Sequence, residues 1–94
     1  MGADFLVRRR LSLLEAELDD EIVGLQVERG ICYGFNATAS RVWSLLERPM
    51  RFSELRDHLL AEFDVPADTC EHQLLELLRG LEKDELVQME PMAA

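Results

Sequence analysis

Across Asn36-Ala37-Thr38 the spacing of apolar residues changes from every second position to every third or fourth, and this switch constrains the fold more than any other feature. Upstream, Leu14, Ala16 and Leu18 alternate with Leu13, Glu15 and Glu17, the pattern of a half-buried strand running from Ser12 to Leu18. Asp19-Asp20 supplies a turn, after which Val23, Leu25 and Val27 point one way while Ile22, Gly24, Gln26 and Glu28 point the other. Glu28-Arg29-Gly30 offers a glycine for a positive-φ turn position, and Ile31-Cys32-Tyr33-Gly34-Phe35 reads as a third short strand completing a meander.

Downstream, Asn36 or Thr38 can cap a helix whose Ala39, Val42, Trp43 and Leu46 fall on one face. Pro49 stops it. Ser53 and Glu54 open a second helix with Leu55, Leu59 and Phe63 along its buried stripe. Asp68 and Glu71 have capping-box spacing at the head of a third, whose Cys70, Leu74, Leu77, Leu78 and Leu81 line one face until Lys83 or Asp84. Leu86-Val87-Gln88-Met89 reads either as a short final strand or as a cover for the core. The expectation is an α+β, winged-helix-turn-helix-like domain: a three-stranded antiparallel sheet followed by three helices, the last two forming a helix-turn-helix-like pair. A chain of 94 residues fits one domain, residues 1–94, with an N-terminal arm over 1–11 and a frayed tail over 90–94.

Charge and motif content narrow the function classes. A net charge of −9 opposes phosphate binding, and Arg8-Arg9-Arg10, the one basic cluster, reads as a solvated part of the arm. No apolar run approaches the length of a membrane span, and the basic cluster follows the short apolar start rather than preceding it, against a signal peptide, so a cytoplasmic location is expected. Cys32 and Cys70 lack redox or zinc spacing and read as free thiols. His58 and His72 sit on the polar sides of different helices, and there is no Gly-rich phosphate loop, nucleophile elbow or Cys-x-x-Cys pair. The expectation is a protein without catalytic residue, metal or cofactor.

The run Tyr33-Gly34-Phe35-Asn36-Ala37-Thr38-Ala39-Ser40-Arg41-Val42-Trp43-Ser44-Leu45-Leu46 resembles the signature of the PqqD-like family, in which a strand ending in Asn leads into Thr-Ala and a Val-Trp helix. Phe52-Ser53-Glu54-Leu55, Phe63-Asp64-Val65, the leucines of the third helix and Leu86-Val87 continue that pattern, so the resemblance covers residues 12 to 89. It departs at Glu47-Arg48-Pro49, where a Gly-rich turn is common, and at Glu85, which stands where a glycine commonly precedes Leu-Val. The family includes the pyrroloquinoline quinone biosynthesis chaperone and the recognition elements of lasso-peptide and other modified-peptide pathways. The resemblance therefore implies binding of the leader of a ribosomally made precursor peptide and its delivery to a modifying enzyme, such as a leader peptidase or radical enzyme. The segment from Tyr33 to Asn36 looks nearer the lasso-type and standalone elements than the quinone branch.

In such proteins the leader is expected beside the strand Ile31 to Phe35 and across the third helix, adding a strand by β-augmentation. About four ladder bonds supply about 2–6 kcal/mol, short of the roughly 8 that micromolar binding needs, so side-chain anchors must add to them. The expected groove comprises Cys32, Tyr33, Gly34 and Phe35 from the strand and Cys70, Gln73, Leu74 and Leu77 from the helix, with Leu78 secondary. Tyr33 and Phe35 share a face and can be core, leaving Cys32, Gly34 and the backbone accessible. Trp43 is expected in the core and outside the site. Two other readings compete. A winged-helix DNA-binding regulator would use the third helix, but six acids against Arg79 and Lys83 from Asp68 to Glu85 repel phosphates. A structural homodimeric adaptor would pair the same open strand edge with a second copy.

Overall fold

The computed structural model describes residues 4–92. In chain order it contains β1 (Phe5–Arg9), β2 (Leu14–Leu18), β3 (Glu21–Gln26), β4 (Ile31–Phe35), α1 (Ala37–Leu45), β5 (Met50–Arg51), α2 (Phe52–Glu62), α3 (Ala67–Lys83) and β6 (Val87–Pro91). The strands form two antiparallel three-stranded sheets, ordered β5-β1-β6 and β2-β3-β4. The meander and the three helices follow the expected order, giving the α+β, winged-helix-like arrangement.

The first of these sheets was not expected. Residues 5–9 are a central strand rather than a solvated arm: β1 pairs with β6 from Phe5↔Pro91 to Arg9↔Val87 and with β5 at Leu6↔Arg51 and Val7↔Met50. Val7 is wholly buried, as are Leu86 and Val87. Asp4 then reaches the head of α2, where its carboxylate accepts from the Ser53 amide (3.2 Å) and hydroxyl (2.6 Å), and these bonds hold its pKa below the ordinary value. Phe5 stacks on Phe52 at 4.9 Å between ring centroids. The expected frayed tail is likewise strand up to Pro91, and residues 93–94 lie outside the described residues.

The basic cluster is similarly divided. Arg8 pairs with Glu90 across the β1–β6 ladder at 3.1 Å, and Arg10 is exposed. The Arg9 guanidinium lies 4.2 Å from the centre of the Trp43 ring and donates to the Trp43 carbonyl. The Trp43 indole in turn donates to Glu15 of β2 at 2.9 Å. Arg9, Trp43 and Glu15 thus tie the first sheet, α1 and the second sheet together, and burial draws the Arg9 pKa below its usual value.

Helix ends follow local chemistry with two departures. Asn36 caps α1, its side chain accepting from the Ala39 amide at 2.9 Å. α2 begins at Phe52, where Glu54 reaches back to the Arg51 amide at 3.2 Å, so Ser53 lies inside the helix rather than at its cap. α3 starts at Ala67 after Pro66, and the expected Asp68–Glu71 capping box does not form: Asp68 accepts from the Thr69 amide and Glu71 pairs with Arg56 at 3.1 Å. The core joins Val42, Trp43 and Leu46 to Leu55, Leu59, Leu74, Leu78 and Leu81.

The second sheet faces the core with fewer side chains than its alternation suggests. Ile22, Gly24 and Phe35 point inward. The apolar row of Leu14, Ala16 and Leu18, together with Leu25 and Val27, is exposed, with Leu14, Leu18 and Val27 each 64% accessible. Gly24 shows why the inner row is sparse: a Cβ there would meet the Leu13 side chain at 2.6 Å, so Leu13 fills the space beneath the sheet.

Candidate functional site

Among the described residues β4 is an edge strand that pairs with β3 alone, so alternate N–H and C=O groups along its other side have no strand partner. α3 runs beside that edge in the opposite sense. Two adjoining clefts fill the space between them. The first, about 410 Å³, has Tyr33, Gly34 and Phe35 on one wall and Glu76, Leu77, Gly80, Leu81 and Asp84 on the other. The second, about 300 Å³, lies beyond the end of β4 and is lined by Asn36 and Thr38 of α1's first turn, Leu59, Phe63 and Val65, and Cys70, Gln73, Leu74 and Leu77. Asn36 and Leu77 border both, making one continuous groove.

Seven of the eight residues expected in the groove line it, and their parts differ. Phe35 is buried and stacks on Trp43 at 5.4 Å, so it forms the floor. Tyr33 is half-buried on the same face, and Gly34 is exposed on the opposite face, so it meets the groove through its backbone. Cys70 and Leu74 are buried at the base of the second cleft, Leu77 is half-buried at the junction, and Gln73 is exposed at the rim. Cys32 departs from this set. It is exposed and shares the outer face of the sheet with Gly34, away from α3, so only its backbone belongs to the edge. Leu78, the secondary candidate, is wholly buried and lines neither cleft.

Several lining residues lie outside the expected groove. Phe63, expected on the buried stripe of the second helix, instead caps α2 and is 37% exposed, and with Val65, equally exposed, it walls the second cleft from the α2–α3 connection. Glu76 and Asp84 line the first cleft but look like any of the 19 acids of the chain. Ser40 holds β4 in place from α1. Its buried hydroxyl donates to the Phe35 carbonyl (3.0 Å) and accepts from the Ile22 amide (2.8 Å), joining the end of β4 to the start of β3.

The groove presents apolar side chains and strand-edge backbone groups. Burial pushes the Cys70 thiol above its ordinary pKa, so it stays protonated and acts as a small apolar group rather than a nucleophile. His72 lies on exposed α3 surface, 3.5 Å from Glu76. Among the described residues no cluster of His, Cys, Asp and Glu could hold a metal ion, and no helix is long and apolar enough to cross a membrane.

Residues 21–87 match the family model of coenzyme PQQ synthesis protein D (PqqD), a span that includes β3, β4 and all three helices. The chain belongs to the PqqD family. Among solved structures it is similar to TbiB1 in complex with the TbiA(beta) leader peptide, with 37% identity over 93% of this chain and 99% of that chain, and a TM-score of 0.76. A lasso peptide synthetase B1 complexed with the leader peptide shares the fold, with a TM-score of 0.71, at 20% identity over 87% of this chain and 96% of that one. No curated protein matches significantly. The PqqD-like resemblance carried by Tyr33 to Leu46 is therefore upheld, and a lasso peptide synthetase B1 shares its fold.

Proposed function

We propose that this PqqD-family chain is a non-catalytic recognition module that binds the leader of a ribosomally made precursor peptide and presents it to a modifying enzyme, such as a leader peptidase or a radical enzyme. One observation carries the reading: the free edge of β4 lies beside an apolar helix face with open groove between them. A peptide entering as a fourth strand satisfies the β4 backbone and turns alternate side chains toward α3. The similarity to TbiB1, seen with a leader peptide bound, supports leader-peptide binding by this chain.

The groove also divides the work of binding. Backbone pairing along Ile31–Phe35 is indifferent to sequence. The cleft of Leu59, Phe63, Val65, Cys70, Leu74 and Leu77 takes one aliphatic or aromatic side chain, worth about 1.5–3 kcal/mol when buried. Cys32, Tyr33, Gly34, Phe35, Cys70, Gln73, Leu74 and Leu77 are the proposed contact set, with Cys32 contributing backbone alone. The DNA-binding alternative gains nothing from the structure, since the exposed side of α3 presents Asp68, Glu76 and Glu82.

Fluorescence anisotropy with labelled TbiA(beta) leader peptide tests the proposal. Saturable binding is expected, weakened about tenfold or more by Leu77→Glu, which puts a charge at the junction of the two clefts. Leu77 is only half-buried, so the variant is expected to fold, which a urea midpoint near the parent's checks. Binding unaffected by Leu77→Glu would place the peptide elsewhere and overturn the groove assignment.

A further inference from the structure

The groove has two walls, and one ion pair joins them. Arg29 sits in the β3–β4 turn, just before β4, and Glu85 directly follows Asp84, which lines the first cleft opposite Tyr33 and Gly34. The Arg29 guanidinium donates to the Glu85 carboxylate at 2.8 Å. Among the described residues this is the one hydrogen-bonded link between the β3–β4 hairpin and the chain from α3 to Leu86. The other end of β4 is fixed by Ser40, so the ion pair is the polar tie at the hairpin-tip end of the strand.

Glu85 is also held in an unusual backbone state. Its φ of 62° is left-handed, a conformation that costs a non-glycine residue about 1–2 kcal/mol. It occupies the position after the cap of α3 in a Schellman turn: the Leu86 amide donates to the Leu81 carbonyl and the Glu85 amide to the Glu82 carbonyl, both at 2.9 Å. Glycine satisfies that turn better, and it carries no side chain to reach Arg29. Across the gap Gly30 has a φ of 64°, so each end of the ion pair rests on a reversal of chain direction. The pair itself is exposed, about half accessible on each side, so it is weak and screened by salt.

We infer that the Arg29–Glu85 ion pair is a brace that sets the spacing between the free edge of β4 and α3, making Arg29 and Glu85 positioning residues for the groove. This inference rests on the peptide-binding reading for its functional consequence, while the brace itself is a property of the unliganded protein. A preformed gap spares an entering strand the ordering of the hairpin tip, and that saving is read out as affinity.

The test uses Glu85→Gly, Arg29→Ala and the reversed pair Arg29→Glu with Glu85→Arg, each measured three ways. Amide hydrogen exchange without peptide is expected to quicken between Val27 and Cys32 in both single variants. Affinity for the TbiA(beta) leader peptide is expected to fall about two- to fivefold. The urea midpoint of Glu85→Gly is expected to hold or rise because glycine relieves the left-handed strain, a split that a merely structural residue would not produce. The reversed pair is expected to restore both exchange and affinity. Unchanged exchange and unchanged affinity in both single variants, with the parent binding the peptide, would overturn the brace. Quickened exchange in a protein that binds no leader peptide would instead overturn the peptide reading and leave the brace standing.

Discussion

The two sheets have the same number of strands and opposite relations to the rest of the protein. β5-β1-β6 draws its strands from both ends and the middle of the chain, buries Val7 and Val87 completely, and is covered by Phe52 stacked on Phe5. β2-β3-β4 is a local meander that buries Ile22, Gly24 and Phe35 and half-buries Tyr33 on its inner face, leaves Leu14 and Leu18 in solvent, and ends on a strand with one free edge beside α3. A sheet whose neighbours in space are distant in sequence closes the chain on itself and serves as the frame. A sheet built from consecutive strands can keep an edge free, and here that edge carries the proposed site.

The sharpest way to break this comparison is to attack the frame. Val7→Asp places a charge at a wholly buried position between β5 and β6, and is expected to cost about 3–5 kcal/mol, a large part of the stability of a small domain. Urea unfolding measures it, and a midpoint close to the parent's would return residues 5–9 to the status of an arm. A smaller effect is expected where the second sheet is pinned to α1. Ser40→Ala strands the buried Ile22 amide and should cost about 1–3 kcal/mol, with faster amide exchange at Ile22. The smallest belongs to the open face: Leu14→Glu with Leu18→Glu is expected to stay within about 0.5 kcal/mol of the parent. A loss approaching that of Val7→Asp would mean that this apolar row is packed rather than exposed.

What the sequence disclosed follows the same division. The helices were legible because Cys70, Leu74, Leu78 and Leu81 repeat on one face of α3, and Asn36 combines a capping side chain with the change of period. The meander was legible because its strands are consecutive and separated by turn residues. Its facing was not: Glu15 on the inner side of β2 serves Trp43 and Arg9, so a carboxylate takes the place where alternation suggests an apolar residue. β1 was hidden because Val7 is its only fully buried side chain, and one residue makes no period, while Arg8 and Arg9 give it the look of a solvated arm. Its partner β6 lies at the far end of the chain, a pairing that no local pattern announces.

The site was readable to the extent that it sits on periodic elements. Phe35, Leu74 and Leu77 followed from strand and helix patterns and Gly34 from its lack of a side chain. Phe63 reads as the last residue of a buried helical stripe but caps α2 and faces the second cleft, while Arg29 and Glu85 meet between two turns that no local pattern brings together. Cys32 was assigned to the groove by its strand but is turned away from α3 by the alternation of that same strand.

The most direct test of peptide pairing with β4 is an isotope-filtered NOE experiment on labelled protein with unlabelled TbiA(beta) leader peptide. Expected are backbone-to-backbone NOEs between the peptide and Ile31–Phe35, with side-chain NOEs to Leu74 and Leu77. Peptide NOEs confined to β2 or to the outer face of the second sheet, with none to the β4 backbone, would contradict it.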